Sequence, residues 1–223
     1  MEVANELMVR GIVVGVFQEN CWVIGSRQTG EAICIDPGDQ PDEILALARD
    51  MGVTIKLIAN SHAHVDHILG VAGVHSETSA KFLLHEHDLD LFHTGWQSSA
   101  ERFGFDVNDP PPDPAAFVND GDIVEVAGLR LHAITTPGHT PGSVSYYAEE
   151  GLLFSGDTLF RSSIGRTDFP GGDFAQEMTS ICDKLLALPD DTTVLPGHMA
   201  ETSIGFERQN NPFVADWLRQ QVD

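Results

Sequence analysis

Between Asn60 and Ile68 the chain reads Ser-His-Ala-His-Val-Asp-His, so His62, His64, Asp66 and His67 fall within six residues directly after an apolar run. Imidazole nitrogen and carboxylate oxygen are ligands for zinc, iron or manganese, and the lack of neighbouring thiolates argues against a soft-metal site. In an extended segment alternate residues share a face. His62, His64 and Asp66 can therefore converge, while a turn at Asp66-His67 redirects the fourth group towards a second centre. Three later turns offer further ligands. Thr136-Pro137-Gly138-His139-Thr140-Pro141-Gly142 frames one imidazole, Ser155-Gly156-Asp157-Thr158 a carboxylate, and Leu195-Pro196-Gly197-His198 another imidazole. Proline and glycine on either side fix such a ligand before the metal arrives, which lowers the ordering cost of binding. Taken alone, a Pro-Gly-His is usually only a turn.

Composition narrows the partners. Thirty-four acidic residues against twelve basic ones give a formal net charge of −22, and Lys56, Lys81 and Lys184 are the lysines. That field repels phosphates, whose binding draws on clustered Lys and Arg, so neither nucleic acid nor a nuclease activity is expected. The acids are scattered, as in Asp88 and Asp90 or Glu149 and Glu150, which suits a solvated folded surface rather than an acidic tail. Residues 1–6 are acidic, and the first apolar stretch, 12–17, is too short to span a bilayer, so no signal peptide or membrane anchor is expected. Cys21, Cys34 and Cys182 form no CxxC pair and are read as reduced core residues of a cytoplasmic protein.

The elements that must position these ligands follow from periodicity. Residues 8–17, 21–25 and 32–35 read as strands, and 42–51 as a helix with Ile44, Leu45, Leu47 and Ala48 at helical spacing between Pro41 and Gly52. Residues 54–59 return to strand and open into the His62 loop. A short helix at 68–74, a strand at 81–84, a helix at 86–92 and a proline-broken loop at 106–114 come next. Strands at 123–126, 129–134, 144–147 and 152–154 precede a helix at 174–188, a strand at 193–195 and helices at 201–209 and 213–222. Two runs of strands, each followed by a helix, imply two sheets packed face to face with helices outside. The strand-to-ligand-loop pattern occurs in both halves, weak evidence of internal pseudo-symmetry.

The order HxHxDH, PGHTPG, SGDT and PGH, spread over most of the chain, resembles the metallo-β-lactamase superfamily. The resemblance implies an α/β fold, the αββα four-layer sandwich, as one domain over 1–223 without an added C-terminal helical domain. It further implies that His62, His64 and His139 hold one metal, that Asp66, His67 and His198 hold a second, and that Asp157 bridges them. Two divalent ions are expected, zinc first, with iron or manganese as alternatives. Phe17-Gln18-Glu19-Asn20-Cys21, Ile35-Asp36-Pro37-Gly38 and Ser163-Ile164-Gly165-Arg166-Thr167-Asp168-Phe169 are similar to the short bacterial type II glyoxalases, or hydroxyacylglutathione hydrolases. So are Thr202, Ile204, Gly205, Glu207 and Asn211-Pro212-Phe213 after His198. β-Lactamases proper fit less well.

On that reading the substrate is a small thioester such as S-lactoylglutathione. Two cations bring a shared water from a pKa of ~15.7 towards roughly 7, and Asp66 orients the resulting hydroxide. Arg166 stands where longer members place a substrate-binding lysine and is the candidate substrate contact, although an ion pair with Asp168 or Asp173 is the plainer explanation. Asp168 and Ala200 stand where those members have tyrosines. The nearest rival keeps the fold: a persulfide dioxygenase with one iron on His62, His139 and Asp157. Beyond it stand other hydrolases of the fold and a module that uses its metals for binding alone. His85 and His87 are read as surface or strand-end residues, and His75, His93 and His132 receive no role.

Overall fold

The computed structural model describes residues 7–104 and 110–221. The acidic start, part of the proline-rich loop and the end of the last expected helix, Val222, lie outside them. The first sheet runs β1 (Leu7–Val14), β2 (Glu19–Ser26), β3 (Glu31–Ile35), β4 (Thr54–Ala59), β5 (Lys81–Leu84) and β6 (Ala116–Phe117), in spatial as well as chain order. Its first three strands are antiparallel and its last four parallel. The parallel step from β3 to β4 needs a crossover, supplied by α1 (Pro41–Met51). Proline at the start of α1 and Gly52, at φ 73, just past its end make α1 the expected helix, and Ile44, Leu45, Leu47 and Ala48 are its buried face.

The second sheet contains β7 (Ile123–Val126), β8 (Leu129–Thr135), β9 (Val144–Ala148) and β10 (Leu152–Gly156), extended by β13 (Thr193–Pro196) and β14 (Thr202–Ser203) beside β10. Between β10 and β13 lies a small hairpin of β11 (Leu159–Phe160) and β12 (Ser163–Ile164). The helices of the first half are completed by α2 (Val65–Ile68), α3 (Val71–Thr78) and α4 (Trp96–Phe103); those of the second half are α5 (Phe174–Thr179), α6 (Ile204–Asn210) and α7 (Pro212–Gln220). The helix expected over 174–188 begins as α5, widens into a π-helical turn at Ser180–Lys184 and closes as a 3-10 turn at Leu185–Ala187. The one expected over 86–92 is likewise a 3-10 turn, Glu86–Asp88, followed by a π-helical stretch, Leu91–Gly95, that leads into α4. Apolar spacing alone does not separate these tighter and wider turns from α-helix.

Side-chain alternation explains the layers. Ala32 and Cys34 of β3 point to an outer core shared with α1 and α3, whereas Ile33 and Ile35 point between the sheets to Tyr146, Phe154 and Leu195. On the second sheet Leu153 and Val194 turn outward to Met178, Ile181, Ile204 and Val214, while Phe154 and Leu195 turn inward. Three apolar cores separated by two sheets are the αββα sandwich. Phe154, 1% exposed, is one of its central side chains; its replacement by Ala would cost roughly 3–5 kcal/mol.

Candidate metal centre

All the candidate ligands leave strands at one edge of the sandwich. β4 delivers His62 and His64, β8 delivers His139, β10 delivers Asp157, and β13 delivers His198. The backbone stays extended through His64, at φ −65 and ψ 149, and then α2 begins at Val65. The alternation expected over His62, His64 and Asp66 therefore stops one step early. The helical turn carries Asp66 to the side of His67, as the family resemblance implied and simple strand periodicity did not.

Two trios result. His62, His64 and His139 form one and Asp66, His67 and His198 the other, each with ligand atoms within 4.8 Å of one another. In the first, His139 Nε2 lies 2.8 Å from His64 Nδ1 and 3.2 Å from His62 Nε2. In the second, His198 Nε2 is 3.3 Å from the Asp66 carboxylate. Asp157 sits between them: Oδ2 is 3.7 Å from His139 Nε2 and 3.5 Å from His198 Nε2, and Oδ1 is 3.4 Å from His67 Nε2.

The far nitrogens decide what the near ones can do. Ser61 donates its hydroxyl to Asp36 at 2.6 Å, so its oxygen is left to accept His62 Nδ1–H at 3.0 Å. His67 Nδ1–H donates to Asp36 at 3.0 Å, and His139 Nδ1–H donates to the carbonyl of Arg166 at 2.7 Å. In its neutral form each of these rings thus turns the lone pair of Nε2 towards the cluster, where a metal can take it in place of a proton. Lone pairs facing one another repel, and a cation between them removes the conflict. His67 Nε2 and Asp157 Oδ1, buried and without a hydrogen-bond partner, face each other as two ligand atoms awaiting an ion would. The residues present fit divalent metals with nitrogen and oxygen preference.

Electrostatics agree with that assignment. Burial, reinforced by the neighbouring imidazoles, pushes His62 well below the ordinary histidine range and His64 down to about 3, so both are neutral ligands. Burial opposes ionisation of Asp157, yet His67, His198 and His139 together hold its carboxyl below the usual range. For His67 burial disfavours the charged ring, but Asp157 and Asp36 outweigh it and raise its proton affinity. A negative field that attracts a proton attracts a divalent cation more strongly.

Several supporting residues escaped the sequence reading. Asp36, 1% exposed, accepts from Ser61 twice and from His67, 31 positions away. Its signal was an Asp-Pro-Gly directly after an apolar strand, noted as a resemblance and given no task. Asp88 braces two ligand loops by accepting from Ala63 N–H, Thr140 Oγ and Gly142 N–H at 2.7 to 2.9 Å. Glu177 accepts His139 N–H at 2.8 Å, and burial raises its carboxyl to about 9. Asn60 donates to the His67 carbonyl at 2.7 Å. Nothing local marks Asp88 or Glu177; their partners come from other strands. Glycines permit the crowding: a Cβ at Gly197 would meet Asp157 Oδ1 at 2.4 Å, and one at Gly165 would meet the Asp157 carbonyl at 1.8 Å.

Arg166 is brought to the edge of the site, but its guanidinium is engaged. Nε and Nη2 donate to the two oxygens of Asp168 at 2.9 and 2.8 Å, and the plane stacks on Phe169 at 4.2 Å. Asp173 instead caps α5 by accepting Gln176 N–H. His85 and His87 pack edge to face at 4.7 Å and lie outside the ligand trios. His132 pairs with Glu149, His93 lies 3.7 Å from Asp113, and His75 meets the Ala80 carbonyl.

Residues 14–198 match the metallo-beta-lactamase superfamily. The chain belongs to it. A hydroxyacylglutathione hydrolase, GloC, from Haemophilus influenzae is 34% identical over 205 residues, covering 91% of this chain and 96% of its own. Among solved structures, TTHA1623 in a di-iron-bound form superposes with a TM-score of 0.82 at 36% identity, over 92% of this chain and 99% of that one. BLEG-1, a B3 metallo-beta-lactamase, superposes at 0.83 with 34% identity, over 93% and 99%. The second likeness runs against the expectation that β-lactamases fit this sequence poorly. Together the family and the ligand cluster make the protein a metal-dependent hydrolase of this superfamily. No helix among the described residues is long and apolar enough to cross a membrane.

Proposed function

We propose that the protein hydrolyses small thioesters, glutathione conjugates such as S-lactoylglutathione first among them, with two divalent ions, zinc foremost, held by the two trios and shared through Asp157. The observation that carries this reading is the set of inward-turned lone pairs in both trios, with one carboxylate between them. When bound, such ions supply hydroxide near neutral pH by lowering the pKa of a water to roughly 7.

The chain's own residues do the rest. Asp66, with its side chain 22% exposed beside His198, is the member of the second trio from which a carboxylate oxygen can hold and orient the attacking water. Asp36 and Ser61 keep His62 and His67 in the tautomers that leave their lone pairs free. The departing thiol has a pKa near ~8.5 and leaves as thiolate, so no buried general acid is required. Arg166, displayed at the rim, is the group for a substrate carboxylate. The substrate is a small molecule of the cytoplasm, and neither nucleic acid nor membrane has a place in this reading.

A one-iron dioxygenase on His62, His139 and Asp157 is the second reading. It would leave the second trio, Asp66, His67 and His198, without a cation although its ligand atoms lie within 4.8 Å of one another, which is why two ions are preferred. Metal analysis coupled to assays separates them. Two equivalents of metal with S-lactoylglutathione hydrolysis are expected. One equivalent of iron with oxygen uptake on glutathione persulfide, or β-lactam turnover exceeding thioester turnover, would overturn the proposal.

A further inference from the structure

The segment that carries Arg166 is tied to the metal cluster twice. Its carbonyl accepts His139 Nδ1–H at 2.7 Å, and the ring of Phe169 packs edge to face against His64 at 5.5 Å. The same Phe169 ring supports the guanidinium at 4.2 Å, so one aromatic ring separates the positive charge from a candidate ligand. Those two separations from the Phe169 ring place the guanidinium at most about 10 Å from the His64 ring, a span that three residues of extended chain cover. A peptide-like thioester positioned over the trios can therefore set a carboxylate against this fork. Asp168 already fills it, in the bidentate geometry that a substrate carboxylate would adopt, through the same Nε and Nη2.

We propose that Asp168 is a specificity-determining rival of the substrate: it occupies the Arg166 fork in the free protein, and a thioester bearing a carboxylate binds by displacing it. The inference rests on the thioester reading for the identity of the ligand. Both partners are exposed, 64% and 68%, and lie two residues apart on a surface segment, so exchange requires no unfolding. An exposed ion pair is weak, and the handicap it places on a carboxylate is correspondingly modest, about two- to five-fold in affinity. A neutral thioester does not compete for the fork and escapes the handicap. The pair thus lowers the enzyme's preference for charged thioesters relative to neutral ones without touching the ligands.

The test compares metal-loaded wild type and Asp168→Ala on S-lactoylglutathione and on the neutral thioester S-acetyl-N-acetylcysteamine, with the Kd of glutathione measured by calorimetry. The ratio of KM for the neutral to KM for the charged substrate should rise about two- to five-fold, and glutathione should bind more tightly by a similar factor. In an Arg166→Gln background the same substitution should move neither quantity, a dependence that a merely structural role of Asp168 would not produce. An unchanged or falling ratio, or a shift that persists without Arg166, overturns the proposal. If wild type hydrolyses neither thioester, the thioester reading falls and the glutathione measurement decides alone: tightening in Asp168→Ala upholds the rivalry, and no tightening removes it.

Discussion

At the floor of the site the His67 side chain is fully buried, Asp157 is 11% exposed, and the second nitrogens of His62, His67 and His139 are fixed by Ser61, Asp36 and the Arg166 carbonyl. At the rim Arg166 and Asp168 hold chiefly one another and Phe169, with about two thirds of each ion-pair side chain in solvent. The floor is determined from several strands at once, because His67 and His139 are braced by residues distant in sequence and His62 by Ser61, which Asp36 holds in turn. The Arg166 guanidinium at the rim is held by near neighbours in sequence, Asp168 and Phe169. Reaction class therefore resides in the part of the molecule that the fold cannot alter cheaply. On the proposed reading, substrate preference resides in a part where one surface substitution changes the charge offered to a ligand.

The strongest challenge to this contrast is Asp157→Asn. It removes the carboxylate that faces both trios, so metal content should drop below two equivalents and hydrolysis should fall more than about 100-fold, beyond the loss caused by removing an outer partner. Plasma emission analysis and initial rates read both. A variant that kept two metals and lost less than tenfold in rate would show that the trios do not need a shared ligand.

Asp36→Asn is the next largest. The amide keeps the shape but cannot accept from Ser61 N–H, Ser61 Oγ–H and His67 Nδ1–H through two charged oxygens. Metal affinity should weaken roughly 10- to 100-fold, as is usual for outer partners of ligating histidines. Competition with a chelating indicator measures it. KM for neutral and charged thioesters should move together, in contrast to the rim substitutions. A loss smaller than threefold would mean that the floor owes its stiffness to packing rather than to this carboxylate.

The same contrast governs what could be read without the structure. His62, His64, Asp66 and His67 fall within six residues, and His139, Asp157 and His198 each lie in a turn that announces itself by Gly, with Pro beside the two histidines, so the candidate ligands were legible as a set. The sandwich was legible because Ile33 and Ile35 alternate with Ala32 and Cys34, and each strand serves two cores. Asp88 and Glu177 were hidden, since each lies in a helical turn where an acid reads as solvent-facing; only the approach of Ala63 and Thr140, or of His139, buries them. The Asp66 side was misread by periodicity because a four-residue helix is too short to leave a pattern. The Arg166-Asp168 pair was anticipated as one of two options, and its bidentate geometry and Phe169 support needed coordinates.

Asp120 sharpens the boundary between the two regions, because it is an exposed carboxylate behind a ligand loop. It accepts Thr135 N–H at 2.7 Å and Thr135 Oγ–H at 2.9 Å, with Lys184 Nζ at 3.4 Å, immediately before the turn that presents His139. Slight burial opposes its ionisation, but the Thr135 hydrogen bonds and the lysine prevail and hold its pKa below the ordinary aspartate value. A carboxyl lowered in the folded state contributes stability above its unfolded pKa of 3.8 and loses that contribution as pH falls through the lower folded value. Asp120→Asn should thus melt about 2 °C below wild type at pH 7, a small gap because solvent screens the site, and the gap should close towards pH 2. Metal affinity should change less than twofold, since Thr136 and Ser180 still secure the turn from inside through Thr158 Oγ and the Pro137 carbonyl. A larger loss of metal would place Asp120 with the floor, and the division would then follow connection to the ligand strands rather than burial.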